Sequence, residues 1–201
     1  MAGPTVEFWQ QHFEEQTIPW DRGGPSPQLM AWLPQIRAGR SILVPGCGSG
    51  WEVAELAKAG AVVTGIDYTP AAVAKARAML EEKILLAEVV QADVLTWTPS
   101  RPVDAVYEQT CMCALHPDYW ARYAEQLQGW LKPGGRLYAM WMQKARPGAA
   151  EGLIEGPPFH CDVNAMRALL PATLWDWPKP PYARTDHPSG SFELGVVLTR
   201  R

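Results

Sequence analysis

Apolar positions along the chain change period after its first forty residues. Near the start, Val6, Trp9 and Phe13 share one face of a helix that Thr5 can cap. Prolines at 19, 25 and 27 then break the chain before Ser26 opens a short helix reaching Leu33. After Gly39 short β-rich runs alternate with helical ones: "SILVP", Trp51 to Ala59, "AVVTGID", Pro70 to Glu82, "LAEVVQAD", "VDAVYEQ", Asp118 to Leu131 and "RLYAMWM". The helical runs are one-sided, through Val53, Leu56 and Ala57, then Val73, Ala76 and Leu80, then Trp120, Tyr123, Leu127 and Trp130. Strand, helix, strand, helix predicts a parallel α/β sheet. Beyond it, "RPGAAEGLIEGPP" is a Gly- and Pro-rich loop, and Asp162 caps a short helix through Leu170. The tail fits a strand, a proline-bent excursion and a final strand near Phe192 to Leu198.

The 201 residues suit one domain, read as a helical lid over 1–38, a ligand-binding core over 39–142, and a substrate loop with C-terminal strands over 143–201. A formal charge of −3, from 18 Lys and Arg against 21 Asp and Glu, argues against nucleic acid and for a small-molecule partner. No apolar run approaches the length of a bilayer, and "MAGPTVEFWQQHFEE" has neither the basic patch nor the apolar centre of a signal peptide, so the expectation is a cytoplasmic protein without membrane attachment. The expected state is a monomer or weak homodimer. Cys47, Cys111, Cys113 and Cys161 are too few and too irregularly spaced for a disulfide framework. "CMCALH" lacks the paired spacing of a structural zinc site, so no metal is expected. Ten tryptophans and 19 prolines are the compositional oddity, and they suggest that the ends of the chain carry specificity.

The stretch most informative about chemistry is "LVPGCGSGW". A turn leaving a strand and opening a helix presents unpartnered backbone N–H groups, and Gly46, Gly48 and Gly50 allow a ligand to approach them. Asp67 ends the second strand 21 residues after Gly46, where a carboxylate accepts hydrogen bonds from the hydroxyls of a ligand ribose. A dinucleotide turn would place its third glycine where Trp51 stands. "VVQADVLTW" instead puts Asp93 and Val94 just past the third strand, and "LKPGGRLYAMW" puts a Pro-Gly-Gly turn before the fifth. Both resemble class I methyltransferases, in which the acid after strand three meets the adenine amino group of S-adenosylmethionine.

Four segments, "EFWQQHFEEQTIPWD", "ILVPGCGSG", "CALHP" and "GPPFH", together resemble the thiopurine and thiol or halide S-methyltransferase group, from about Val6 to about Leu170. The resemblance implies a Rossmann-like fold: a mostly parallel seven-stranded sheet, an antiparallel last strand and an N-terminal helical lid. It implies S-adenosylmethionine as cofactor, with Trp9, Phe13 and Trp20 of the lid closing over Gly46, Gly48, Asp67, Tyr68, Asp93, Val94 and Glu108. It also implies that the residue after the fourth-strand acid Glu108, here Gln109, faces the methyl acceptor. The plant thiol and halide enzymes have tyrosine there and the thiopurine enzymes arginine, while Phe13 stands where the plant enzymes have tryptophan. Val44 occupies the place where many class I enzymes have an acid for the methionine amino group.

Gln109 is thus expected to orient the acceptor, and Asp21, His12 and His160 are the possible proton acceptors, with Asp21 grouped among the catalytic residues. A strong base is not required, because a thiol with pKa near 8.5 is already a few per cent ionised at neutral pH. The expected reaction is methylation of a small soft nucleophile, foremost a thiol. The alternatives are O- or N-methylation of a specialised metabolite, methylation of a halide or chalcogen oxyanion, and cofactor binding without catalysis.

Overall fold

The computed structural model describes residues 4–201, so the first three residues of the expected lid lie outside it. The lid begins with α1 (Val6–Glu14), which buries Phe13. Thr5 stands at its start, but the Thr5 hydroxyl makes no capping bond. Helix α2 (Pro27–Trp32) starts as expected: Ser26 Oγ accepts the N–H of Gln28 at 3.3 Å, and Pro27 occupies a first-turn position whose N–H would have had no helical partner.

The alternating region follows as β1 (Ser41–Pro45), α3 (Trp51–Lys58), β2 (Val62–Asp67), α4 (Pro70–Glu82), β3 (Glu88–Gln91), β4 (Val103–Gln109), α5 (Trp120–Trp130) and β5 (Leu131–Gln143). The chain ends with α6 (Val163–Leu169), β6 (Trp175–Asp176), β7 (Ala183–Asp186) and β8 (Phe192–Arg200). Helix α5 starts later than its apolar pattern suggests, because a 3-10 turn over Pro117–Tyr119 precedes it, opened by His116 Nδ1 accepting the N–H of Asp118 at 3.3 Å. The Lys-Pro-Gly-Gly segment is absorbed at the start of β5: Leu131 pairs with Val103, and the register then jumps so that Arg136 pairs with Ala105.

The sheet runs β3-β2-β1-β4-β5-β8-β6, with β7 also paired to β8. Pairing is parallel from β3 to β5, and β8 is antiparallel to β5 from Arg136 to Gln143. Among the described residues the sheet therefore has eight strands where seven were expected. Strand β6 pairs with Thr199 and Arg200, while β7 pairs with Phe192 to Gly195, so the two form one edge strand split by an insertion. That insertion, "WPKPPY", has three prolines, which cannot donate to a ladder.

Alternation along the strands divides the core in two. Leu43, Val106, Leu137 and Trp141 pack with Tyr123 and Leu127 of α5 and Met166 of α6. Ile42, Val44, Tyr107 and Tyr138 pack with Trp32 of α2, Val53 of α3 and Leu80 of α4. Trp130, Trp141 and Trp175 are fully buried, each worth about 3 kcal/mol of transfer free energy, so much of the indole content serves the core and not the specificity anticipated for the chain ends. Lid and core are stitched at the start of α4, where the orphan N–H of Ala71 donates to Gln10 Oε1 of α1 at 3.0 Å.

Candidate active site

The carboxyl edge of the parallel strands, under the lid, encloses a cavity of about 730 Å³. This is where open α/β sheets bind ligands, since successive strands open there into diverging loops. Gly46 leaves β1 with φ +61°, and a Cβ there would stand 3.0 Å from Cys111 Cβ, so glycine is required by both conformation and space. Gly50 has φ +85°, and a Cβ on it would meet Ala76 Cβ at 2.8 Å, which lets α3 start against α4.

Asp67 and Asp93 line one end of the cavity. Asp67 is 8% exposed; its Oδ2 accepts the N–H of Gly48 at 3.0 Å and its Oδ1 that of Thr69 at 2.9 Å, leaving lone pairs for a ligand hydroxyl. Burial raises its pKa above the ordinary carboxylate value, against the pull of those two N–H groups. Asp93 is exposed, and its Oδ1 accepts the N–H of Leu95 at 2.8 Å. Tyr68 and Val94 line the same end. The lid supplies the roof: Trp9 and Trp20 meet edge to face at 5.1 Å and 82°, and Phe13 meets Trp20 at 6.3 Å. Of the ten tryptophans, these two line the cavity.

Three expected residues are placed elsewhere. Asp21 is absent from the cavity wall and pins the lid: its Oδ2 accepts the Ser49 hydroxyl at 2.5 Å, and its Oδ1 accepts Trp51 Nε1–H at 2.9 Å and the N–H of Gly23 at 2.7 Å. Glu108 is fully buried beneath the turn after β4, with Oε1 accepting the N–H of Met112 at 2.7 Å, and burial pushes its pKa up to about 8. Gln109 turns to an adjoining cavity of about 70 Å³, which shares Trp20, Gly46, Gly48 and Thr110 with the large one and is lined also by Asp21, Arg22 and Val44. Its Oε1 accepts the Tyr107 hydroxyl at 2.7 Å, and its Nε2 donates to Glu193 Oε2 at 2.9 Å. The reason is strand alternation: β4 ends at Gln109, and Thr110 beyond it adopts φ +62° and takes the place on the large cavity. A β-branched residue in that region carries strain of about 1–3 kcal/mol.

The other end of the cavity is built from Thr110, Cys113, Met142, Pro157, Pro158 and His187. Burial holds the Cys111 and Cys113 thiols well above their ordinary pKa, so neither is an ionised nucleophile at neutral pH. His12 lines the lid end and meets Trp20 edge to face at 5.2 Å, whereas exposed His160 accepts the N–H of Lys144 at 3.1 Å and holds a loop. Among the described residues, no three His, Cys, Asp or Glu gather as a metal site, and no helix is long and apolar enough to cross a membrane.

Residues 4–188 match the family model for thiopurine S-methyltransferase. The chain belongs to that family. As a member it is a methyltransferase that depends on S-adenosylmethionine. It is 30% identical over 166 residues to thiocyanate methyltransferase 1 of Arabidopsis thaliana, covering 81% of this chain and 70% of that one. It is 27% identical over 182 residues to thiopurine S-methyltransferase of Vibrio cholerae serotype O1 (strain M66-2), covering 82% and 80%. Its fold is shared with a Burkholderia thailandensis 1,6-didemethyltoxoflavin-N1-methyltransferase determined with S-adenosylhomocysteine, at TM-score 0.74, 16% identity and coverage of 98% and 86%.

The cavity of this family member fits the cofactor on its own chemistry. Gly46 and Gly48 line the wall without a side chain, Asp67 and Asp93 supply acceptors at one end, and two indoles would supply π faces that stabilise a sulfonium by roughly 0.5–2 kcal/mol. Sequence reasoning passed over Thr110, Met142 and His187. Thr110 was masked by its neighbour Gln109, and His187 by its setting in "DHPSG", which reads only as a turn.

Proposed function

We propose that this methyltransferase binds S-adenosylmethionine through Trp9, Phe13, Trp20, Gly46, Gly48, Asp67, Tyr68, Asp93 and Val94, and methylates a small thiol taken up as its thiolate. The observation carrying this reading is the cavity itself: acidic and aromatic where it would hold a nucleoside and a sulfonium, and largely apolar beside Thr110, Cys113, Met142, Pro157 and Pro158. Bound S-adenosylmethionine supplies a methyl group made electrophilic by the positive sulfur. The protein's part is to exclude water, orient the acceptor and shield two opposite charges that neutralise as the methyl moves. Asp21 supports a latch role better than a base role, since both its oxygens already accept hydrogen bonds. Gln109 and Glu108 act through the shape of the β4 turn rather than by touching a ligand. The formal charge of −3 supports a small molecule over nucleic acid as partner, and a cytoplasmic monomer or weak homodimer is the matching setting.

The test is methyl transfer from labelled S-adenosylmethionine to small thiols, aromatic thiols, thiocyanate, halides, and matched alcohols and amines. Turnover of small thiols or thiocyanate, exceeding that of the oxygen and nitrogen analogues by at least about a hundredfold, is the expected outcome. Turnover confined to an alcohol or amine would replace S-methylation by the O- or N-methyl alternative.

A further inference from the structure

Among the described residues, seven have buried side-chain nitrogen or oxygen atoms without a partner, and of these seven only His187, whose free atom is Nε2, belongs to the wall of the large cavity. The residue is 5% exposed and sits in the turn between β7 and β8. The rest of its ring is accounted for. Nδ1 accepts the N–H of Ser189 at 3.2 Å and lies 2.8 Å from Ser189 Oγ. A backbone N–H can only donate, so Nδ1 is an acceptor. Burial lowers the pKa of the ring to about 4, and the nearby positive charges of Arg22 and Lys144 push the same way. The ring is therefore neutral at physiological pH, and its one hydrogen is on Nε2.

An Nε2–H sealed from water with no acceptor costs free energy unless something completes it. Its surroundings select what that is. Lys144 Nζ donates to the carbonyl of Ser189 at 3.3 Å, and Arg22 donates to the carbonyl of Asp186 at 2.6 Å and to Glu193 at 2.9 Å. A donor beside Lys144 and beside an Arg22 that Glu193 offsets only in part, since burial holds that carboxyl toward its protonated form, on a wall shared with Met142, Cys113 and Pro158, suits a small soft anion. Arg22 comes from the lid, so closing the lid over the cofactor also braces the two sides of the turn that presents His187.

We infer that His187 Nε2–H hydrogen-bonds the anionic acceptor of the methyl transfer, so that the protein takes up its acceptor already ionised and His187 acts as donor, not as proton acceptor. This rests on the thiolate reading proposed above. A thiol gives its proton to solvent before binding. Its sulfur lone pair then forms the new S–C bond as the bond from methyl to the donor sulfur breaks, and that bond's electron pair stays on the donor sulfur. No proton passes through His187.

Thiocyanate tests the assignment because it has no proton to lose at neutral pH. A base would be irrelevant to it, and a hydrogen-bond donor would not. His187→Leu is expected to lower kcat/KM by about 30-fold for thiocyanate and for a small thiol alike, the range set by a hydrogen bond to a charged group, with cofactor affinity by calorimetry within about twofold. His187→Gln, whose amide N–H can reach the Nε2 position, is expected to recover most of the loss. A thiocyanate rate unchanged in both variants, or a loss confined to the thiol, would overturn the inference. Nitrogen-15 spectra of the wild type need no variant: the neutral Nε2–H form is expected, and thiocyanate added to the S-adenosylhomocysteine complex should shift it. An Nδ1–H form, or no shift, would overturn the inference equally. If the wild type methylates neither thiols nor thiocyanate, the proposed reaction is rejected and this inference with it; turnover with an insensitive His187 rejects the inference alone.

Discussion

Arg22 of the lid and Glu193 of β8 form an ion pair at 2.9 Å in which the carboxylate side chain is wholly buried. Burial raises the Glu193 pKa to about 7, against the pull of Arg22 and Gln109. Its folded value exceeds the ordinary 4.5, so between about pH 4.5 and 7 the folded chain keeps a proton that the unfolded chain has lost. The contribution of this residue to stability therefore falls as pH rises through that window. Removing the cation by Arg22→Ala is expected to cost about 3 kcal/mol at pH 8, where the buried carboxylate is ionised, and distinctly less at pH 5.5, where a proton neutralises it. Urea unfolding at the two pH values checks this. Equal losses would assign the effect to the other Arg22 contact, the carbonyl of Asp186.

Glu108 gives a second pH dependence of the same sign. Its pKa is raised by burial to about 8, so its contribution to stability declines from about pH 4.5 to 8. Glutamine keeps an oxygen for the N–H of Met112 and never ionises. Glu108→Gln is expected to stabilise the protein at pH 8.5 by about 2 kcal/mol, or about 6 °C in Tm, and to change little at pH 5.5. Calorimetric melting at both pH values decides it, and a lower Tm at pH 8.5 would count against an ionisable burden at this position.

On the proposed reading, Asp21 is a latch and Asp67 a cofactor ligand. Asp67→Ala removes the acceptor of two N–H groups and the expected partner of the ribose, and should weaken cofactor binding by roughly 1.5–3 kcal/mol. Asp21→Asn loosens the bonds to Ser49 and Trp51 and should weaken it by about 3- to 10-fold, while kcat/KM keeps its pH profile. Calorimetry and rate measurements from pH 6 to 9 separate the two. A rate limb that vanishes in Asp21→Asn would return Asp21 to the catalytic set.

Acceptor choice should follow Thr110 and not Gln109. Gln109→Ala breaks the bonds to Tyr107 and Glu193 and is expected to cost about 1–3 kcal/mol of stability, with the product ratio between two competing thiols within about twofold. Thr110→Gly relieves a left-handed backbone at a cavity-lining position, and should gain about 1 kcal/mol of stability while shifting that ratio by about fivefold. The assay places both thiols in one reaction. A ratio moved by Gln109→Ala alone would restore the sequence expectation.

The alternation of β-rich and one-sided helical runs determined the parallel core, because periods of 2 and 3.6 are local properties that each segment shows by itself. The glycine turn with Asp67, and the pairing of Asp93 with Val94, were legible for the same reason: strand, turn and helix follow one another in sequence. Tertiary structure alone decided what lies around them. One register step at the end of β4 sends Gln109 to Glu193, 84 residues away, and leaves Thr110 on the cavity. Packing of the lid sets the Asp21 carboxylate against the Ser49 hydroxyl and the Trp51 indole N–H, 28 and 30 residues away. The prolines of "WPKPPY" are visible in the sequence, but only pairing along β8 turns them into a break in one edge strand. His187 belongs to a stretch that reads as a turn, and its role depends on a tautomer set by Ser189 and on burial under a lid that begins the chain. Such features rest on contacts between segments distant in sequence, whose geometry no local pattern encodes.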